Sequence, residues 1–156
     1  MSEGNYIELW VKAVLKNIQA MAEMEGNPGQ AVAQPQVFMS RGLAVIIGIT
    51  GSRSGRIIID TTMETARQLS EVFNCETGLE EDDIIDSMAE FANIVSGHGI
   101  TQVNNLQKSW ALMLTPPSAF WGNKINITSP KINAEVVEID TPAGFVKISV
   151  GFEGGW

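Results

Sequence analysis

The sequence is poor in cysteine, histidine and basic residues. Its single cysteine, Cys75, cannot form an internal disulfide, so nothing points to an oxidising compartment. Ten lysines and arginines stand against eighteen acidic residues, which gives a formal net charge of -8 at pH 7. Nucleic-acid binders need a basic face to neutralise phosphates, and anionic membranes attract basic segments. The composition therefore disfavours both kinds of partner.

Long apolar runs and a leader-like segment are also missing. No apolar run approaches the roughly 20 residues that span a bilayer. The first six residues carry no basic segment ahead of an apolar stretch, as a signal peptide would. We therefore expect a cytoplasmic protein. A length of 156 residues with 44% hydrophobic content suits one domain with a substantial core, and we predict a single domain over residues 1–156.

Helical periodicity is present in three segments. Apolar residues recur every three or four positions in each, which is the mark of an amphipathic helix. Glycine and proline punctuate the sequence between them, and Pro116 and Pro117 bar the last helix from continuing further. The pattern predicts helices over residues 6–24, from Thr61 or Thr62 to 74, and from near Leu79 to at least Ser96, with Leu106 as the alternative end.

Extended segments occur as hairpins and not as strand–helix–strand crossovers. We predict a loop at residues 30–34 and strands at residues 36–39, 43–50, 56–61, 123–128, 134–139 and 145–152. This order predicts an α+β fold: two layers, with long helices packed on a largely antiparallel sheet. The hairpins at residues 49–60 and 139–150 correspond, with Gly55 matching Gly144. A pseudo-duplicated pair of helix-plus-hairpin halves is therefore predicted.

The third predicted helix carries two opposed stripes. Its apolar stripe, which we assign to the core, consists of Ile84, Met88, Phe91 and Val95. The opposite stripe consists of Asp83, Asp86, Glu90, Asn93 and Gly97. An acidic stripe is usually the solvated side of a helix. However, asparagine is a poor interior helix former, and glycine costs about 1 kcal/mol relative to alanine there. These two residues point to a role other than helix stability.

Four residues of this region form a spaced pattern. Asp86, Glu90, Asn93 and Pro116 stand as D-x3-E-x2-N-x22-P. This arrangement resembles the active-site pattern of the CheC, CheX and FliY family of response-regulator phosphatases. Flanking sequence segments that resemble CheX lie at residues 48–60 (GITGSRSGRIIID), 90–97 (EFANIVSG) and 115–122 (TPPSAFWG). The resemblance covers about residues 37–152.

The resemblance implies that the protein hydrolyses the aspartyl phosphate of a phosphorylated CheY-like response regulator. In that role Asn93 positions the attacking water, since a carboxamide both donates and accepts hydrogen bonds. Glu90 docks to the regulator's lysine, while Asp86, Gly97 and Pro116 support the site. The resemblance further implies a homodimer that binds no cofactor or metal itself, because Mg²⁺ comes with the phosphorylated partner.

The sequence departs from family members that have two active centres. Those members repeat the Glu-x-x-Asn pair in the first helix, but here that helix contains no such pair. Asn93 lies 23 residues before Pro116, whereas the residue 23 positions before Pro35, in the first helix, is Lys12 and not asparagine. The resemblance therefore implies one centre in each chain.

Two alternative functions stay open. The first is a binding or scaffold module without catalysis, related to flagellar switch proteins. The second is a metal-dependent hydrolase that uses Asp83, Asp86 and Glu90. The single histidine, His98, lies off the stripe, which disfavours this second alternative.

Overall fold

The fold is given by a computed structural model that describes residues 6–155. Within that range there are three helices: α1 (Ile7–Ala22), α2 (Met63–Asn74) and α3 (Glu81–Leu106). The strands of the same range are β1 (Asn27–Pro28), β2 (Val32–Ala33), β3 (Val37–Met39), β4 (Leu43–Thr50), β5 (Gly55–Thr61), β6 (Met113–Leu114), β7 (Ser118–Trp121), β8 (Asn126–Thr128), β9 (Ile132–Thr141) and β10 (Gly144–Glu153). No helix in residues 6–155 has both the length and the hydropathy needed to cross a bilayer.

Eight of these strands form one antiparallel sheet. Its order is β1-β9-β10-β5-β4-β6, with β2 also paired to β9 and β7 also paired to β4. The two remaining strands, β3 and β8, pair with each other. The α+β class and the antiparallel sheet are thus confirmed.

The sheet is built from two hairpins that meet at its centre. Ile59 of β5 lies opposite Ile148 of β10. These positions also correspond along the sequence, because each lies four residues after the glycine that opens its strand, Gly55 or Gly144. The short strands β1 and β2 pair with the second hairpin, whereas β6 and β7 pair with the first. Each hairpin is thus extended by short strands from the other half of the chain, which is compatible with the predicted duplication.

The sheet is covered on both faces. Ile57 and Ile59 of β5 belong to the main core cluster with residues of all three helices. Between them Ile58 points the other way, where it clusters with Ala44 and with Phe38 of β3. The predicted strand at residues 43–50 is therefore buried on both sides, by the helices on one face and by the smaller β3–β8 pair on the other.

Side-chain hydrogen bonds fix the start of α2 and the end of α3. Thr62, one of the two predicted start residues, caps α2: its hydroxyl accepts a hydrogen bond from the N–H of Thr65 at 3.0 Å. The third helix continues to Leu106, the longer of the two predicted ends. In its last turn the Asn104 amide binds both the N–H and the carbonyl of Leu112, each at 2.9 Å. These bonds tie α3 to the chain just before β6.

The predicted loop at residues 30–34 is wrong in part. Val32 and Ala33 form β2 and pair with Val136 and Glu135 of β9. The preceding β1, which the sequence does not predict, pairs with Asp140 and Ile139 of the same strand. A two-residue strand has no periodicity of its own, so its pairing is set by the exposed edge of β9 and not by local sequence.

Candidate functional site

The apolar stripe of α3 fixes which way the helix faces. Its four predicted core residues are all buried: Ile84, Met88, Phe91 and Val95. Phe91 stacks on Phe73 of α2, with ring centroids 5.3 Å apart. The opposite side of the helix therefore lies at the protein surface, as predicted.

The polar stripe is open to a partner. Asp86, Glu90 and Asn93 are all exposed. Within residues 6–155 the side chains of these three residues take part in no hydrogen bond or ion pair. An exposed carboxylate and an exposed carboxamide one turn apart thus keep their full hydrogen-bonding capacity for another molecule.

Gly97 lies on the same stripe, at a position where neither backbone conformation nor packing requires a glycine. Among the glycines of residues 6–155 it alone has neither a left-handed backbone nor an atom within 4 Å of the position of a β-carbon. Two residues later the situation is the reverse, because a β-carbon at Gly99 would overlap the indole of Trp10. Gly99 allows α1 to pack against α3, whereas Gly97, which has no side chain, leaves open space on the surface beside Asn93.

Pro116 lies on a separate element, in the turn between β6 and β7. The adjacent Thr115 anchors that turn to Gly48 of β4. The N–H of Thr115 donates to the Gly48 carbonyl at 2.9 Å, and the N–H of Gly48 donates to the Thr115 hydroxyl at 2.8 Å. Helix α3 contacts both flanking strands. The structure thus gathers Asp86, Glu90, Asn93 and Gly97 on one helix face, while Pro116 remains exposed on a loop that these strands hold beside α3.

Metal ligands are not clustered in residues 6–155: no three histidine, cysteine, aspartate or glutamate side chains there are placed to hold a metal ion. His98 instead contacts α1, where its Nδ1 lies 3.0 Å from the amide nitrogen of Asn17. The metal-dependent alternative therefore gains no support from the described residues.

A family model described as chemotaxis phosphatase CheX matches residues 43–140. This match spans more than half of the chain. The chain belongs to the CheX family. No curated protein matches the sequence.

Solved structures share the fold of this family member. A putative chemotaxis protein from Desulfovibrio vulgaris Hildenborough has a TM-score of 0.87 at 20% identity, covering 97% of this chain and 98% of that one. The chemotaxis protein CheX from Desulfovibrio desulfuricans has a TM-score of 0.85 at 20% identity, covering 95% and 99%. A CheX–CheY–BeF3–Mg²⁺ complex from Borrelia burgdorferi has a TM-score of 0.82 at 24% identity, covering 96% and 98%.

A groove that was not predicted from the sequence lies beside the stripe. A cavity of about 410 Å³ lies between α1 and α3, lined in part by Lys12 and Lys16 from α1 and by His98, Thr101 and Gln102 from α3. A signal was available, because two lysines one helical turn apart stand out in a chain with ten basic residues. Their position opposite α3, however, depends on tertiary packing.

Proposed function

We propose that this protein hydrolyses the aspartyl phosphate of a phosphorylated CheY-like response regulator. The observation that carries the proposal is the exposed, unengaged pair Glu90 and Asn93 on α3 of a CheX family member. The Borrelia burgdorferi relative, which has been solved in complex with CheY, BeF3 and Mg²⁺, supports a CheY-like partner that brings the metal ion.

Asn93 acts by positioning. The regulator's own Mg²⁺ and lysine neutralise charge on the phosphoryl group, so alignment of a water molecule is what this protein adds. The Asn93 carboxamide holds the water in line with the phosphorus atom. A bond forms from the water oxygen to phosphorus as the bond from phosphorus to the aspartyl oxygen breaks. The aspartate leaves as a carboxylate, and the protons of the water remain with the released phosphate.

Glu90 docks the helix and takes no part in bond making. Its carboxylate accepts hydrogen bonds only, so it suits an ion pair with the regulator's lysine. That contact sets α3 in register over the phosphoryl group and brings Asn93 to the water. Asp86 supports this face one turn earlier, Gly97 gives the regulator room to approach, and Pro116 shapes the neighbouring loop.

The rival function is a non-catalytic binding or scaffold module. Such a module needs an exposed docking surface, but it does not need a carboxamide one turn after a carboxylate. The presence of both Glu90 and Asn93 on the open stripe favours the enzyme.

The decisive experiment measures the decay of a phosphorylated response regulator from the same genome, with and without this protein, in the presence of Mg²⁺. We expect Asn93→Ala to slow the catalysed decay on the order of 100-fold while the complex still forms. Asn105→Ala is the matched control, because Asn105 is an exposed asparagine near the end of the same helix. Wild-type decay rates in the Asn93→Ala variant would disprove the catalytic assignment. A variant that melts like wild type shows that the loss is not one of folding.

A further inference from the structure

The groove between α1 and α3 lies beside a point where the two helices are in direct contact, and Leu9, Ala13 and His98, which line it, lie close in sequence to the contact residues. Close approach occurs where Trp10, fully buried, packs on the backbone of Gly99. Asn17 of α1 links the helices through one of these lining residues: its amide nitrogen donates to the Ala13 carbonyl at 2.8 Å and contacts His98 Nδ1 at 3.0 Å. Because the amide N–H groups are donors, this ring nitrogen acts as the acceptor.

The charge of the groove is positive, in contrast with the rest of the chain. Lys12 and Lys16 lie one turn apart on α1, both exposed, and both line the cavity. No lining residue is acidic. Within residues 6–155 no carboxylate lies within ion-pair distance of either lysine, since the ion pairs of that range involve Arg41 and Arg67. Two unpaired ammonium groups beside hydrogen-bonding side chains suit an anionic partner group.

The groove adjoins the stripe that carries Glu90 and Asn93. Thr101, on the α3 wall of the groove, follows Asn93 and Gly97 at successive steps of four residues, so these three residues lie along one side of the helix. Eight residues of helix correspond to a rise of about 12 Å. A typical interface buries about 800 Å² of each partner, a patch roughly 16 Å in radius. A protein docked over Asn93 therefore extends to Thr101, at the α3 wall of the groove.

We propose that this groove receives acidic side chains from the docking face of the phosphorylated response regulator, with Lys12 and Lys16 as the recognition residues. The inference rests on the proposed function and adds a second contact to it. Glu90 on the stripe requires a basic group from the regulator, and the groove requires an acidic group beside it. Two neighbouring contacts of opposite sign fix the orientation of the complex and penalise partners that lack the pattern.

The test reverses the groove charge and measures binding to the Mg²⁺- and BeF3-activated regulator from the same genome. We expect Lys12→Glu/Lys16→Glu to raise Kd roughly tenfold or more at low ionic strength, and this difference to shrink at high salt. At saturating regulator the maximal dephosphorylation rate should stay within about twofold of wild type, because neither lysine touches the reacting atoms. Lys12→Arg/Lys16→Arg should retain tight binding.

The matched control is Lys124→Glu/Lys131→Glu, which makes the same change in net charge. These two exposed lysines flank β8, which pairs with β3 on the sheet face away from the helices. Equal Kd values for the groove variant and this control would overturn the groove assignment, even if Asn93→Ala still abolished turnover. A wild-type protein that binds no activated regulator would overturn the proposed function together with the groove. If the double variant misfolds, Lys12→Gln and Lys16→Gln carry the same comparison, since each removes one exposed charge.

Discussion

The indole ring of Trp10 packs directly against the backbone of Gly99, so a β-carbon at position 99 would overlap the ring. Gly97, two residues earlier on the same helix, has open space at the same point. The two glycines of the segment Gly97-His98-Gly99 therefore have different structural roles. One lets α1 approach α3, and the other leaves room on the surface that carries Asn93.

This contrast predicts opposite effects of alanine at the two positions. Gly99→Ala should destabilise the protein by about 1–3 kcal/mol, because the added methyl group forces Trp10 or the helix to move. Gly97→Ala should stabilise it by up to about 1 kcal/mol through helix propensity, yet weaken binding to the activated regulator. Urea denaturation and Kd measurements on both variants check this. A Gly97→Ala variant that is more stable and binds as tightly as wild type would show that the glycine has no docking role.

Loss of the Glu90 carboxylate should appear in binding as well as in turnover. Glu90→Ala removes a charge-assisted hydrogen bond, which we expect to cost about 1.5–3 kcal/mol of binding free energy. Thermal melting should be unchanged, because the side chain is exposed and takes part in no hydrogen bond or ion pair with the described residues. Glu76→Ala, an exposed acid in the loop between α2 and α3, is the control. If Glu90→Ala lowered only the rate at saturating regulator, Glu90 would belong to the chemistry and not to docking.

Much of the fold was predictable because its larger elements carry local signals. Helical periodicity, the Thr62 cap and strand patterns such as the alternating residues 145–152 specify the three helices and the two long hairpins. The short strands β1, β2, β6 and β7 carry no such signal. Each is two to four residues long and pairs with a hairpin from the other half of the chain. Their positions follow from the assembled sheet edges.

The same distinction holds for the candidate site. The stripe of Glu90 and Asn93 lies on one helix, so 3.6-residue periodicity alone predicts that its members share a face. The setting of Pro116 depends on the hydrogen bonds between Thr115 and Gly48, which are 67 residues apart. The contact of Asn17 with His98 joins residues 81 positions apart. Neither pairing leaves a mark in local sequence.

Stability and catalysis should separate cleanly on α3. Phe91 is fully buried and stacks on Phe73, only two positions from the exposed Asn93. We expect Phe91→Ala to cost about 3–5 kcal/mol of unfolding free energy, through lost burial and the cavity that remains. Asn93→Ala should stay within about 0.5 kcal/mol of wild type. Urea denaturation compares the two variants. A large destabilisation by Asn93→Ala would assign its effect on turnover to folding.

Assembly is a further prediction. The family resemblance implies a homodimer, and the edge strand β7 presents the half-exposed aromatic residues Phe120 and Trp121. Exposed edge strands and apolar patches favour pairing between chains. Light scattering at micromolar concentration should therefore give a mass of twice 16.9 kDa. A mass near 16.9 kDa across that range would contradict the prediction.

The last prediction concerns Asp60, a buried carboxylate beneath the β3–β8 cover. Burial raises the pKa of Asp60 above the ordinary value of 3.8. Hydrogen bonds from the Ser40 hydroxyl and the Arg41 N–H, and the positive charges of Lys147 and Arg41, lower the pKa by a smaller amount. The two hydrogen bonds are 2.6 and 2.9 Å long. In the window from 3.8 up to the raised value, the native protein binds more protons at this site than the unfolded chain does. The contribution of Asp60 to the unfolding free energy must therefore fall as pH rises through that window, and it must grow as pH is lowered.

Subtraction of a non-titrating variant isolates this contribution from the other acidic residues. The difference in unfolding free energy between wild type and Asp60→Asn should shift in favour of wild type as the pH falls from about 7 to about 4, because only wild type takes up the proton at this position. Urea denaturation at several pH values measures it. Asp140→Asn, which removes an exposed carboxylate from β9, is the matched control. A difference that moves in favour of Asp60→Asn on acidification would mean that the hydrogen bonds from Ser40 and Arg41 outweigh the cost of burying the charge.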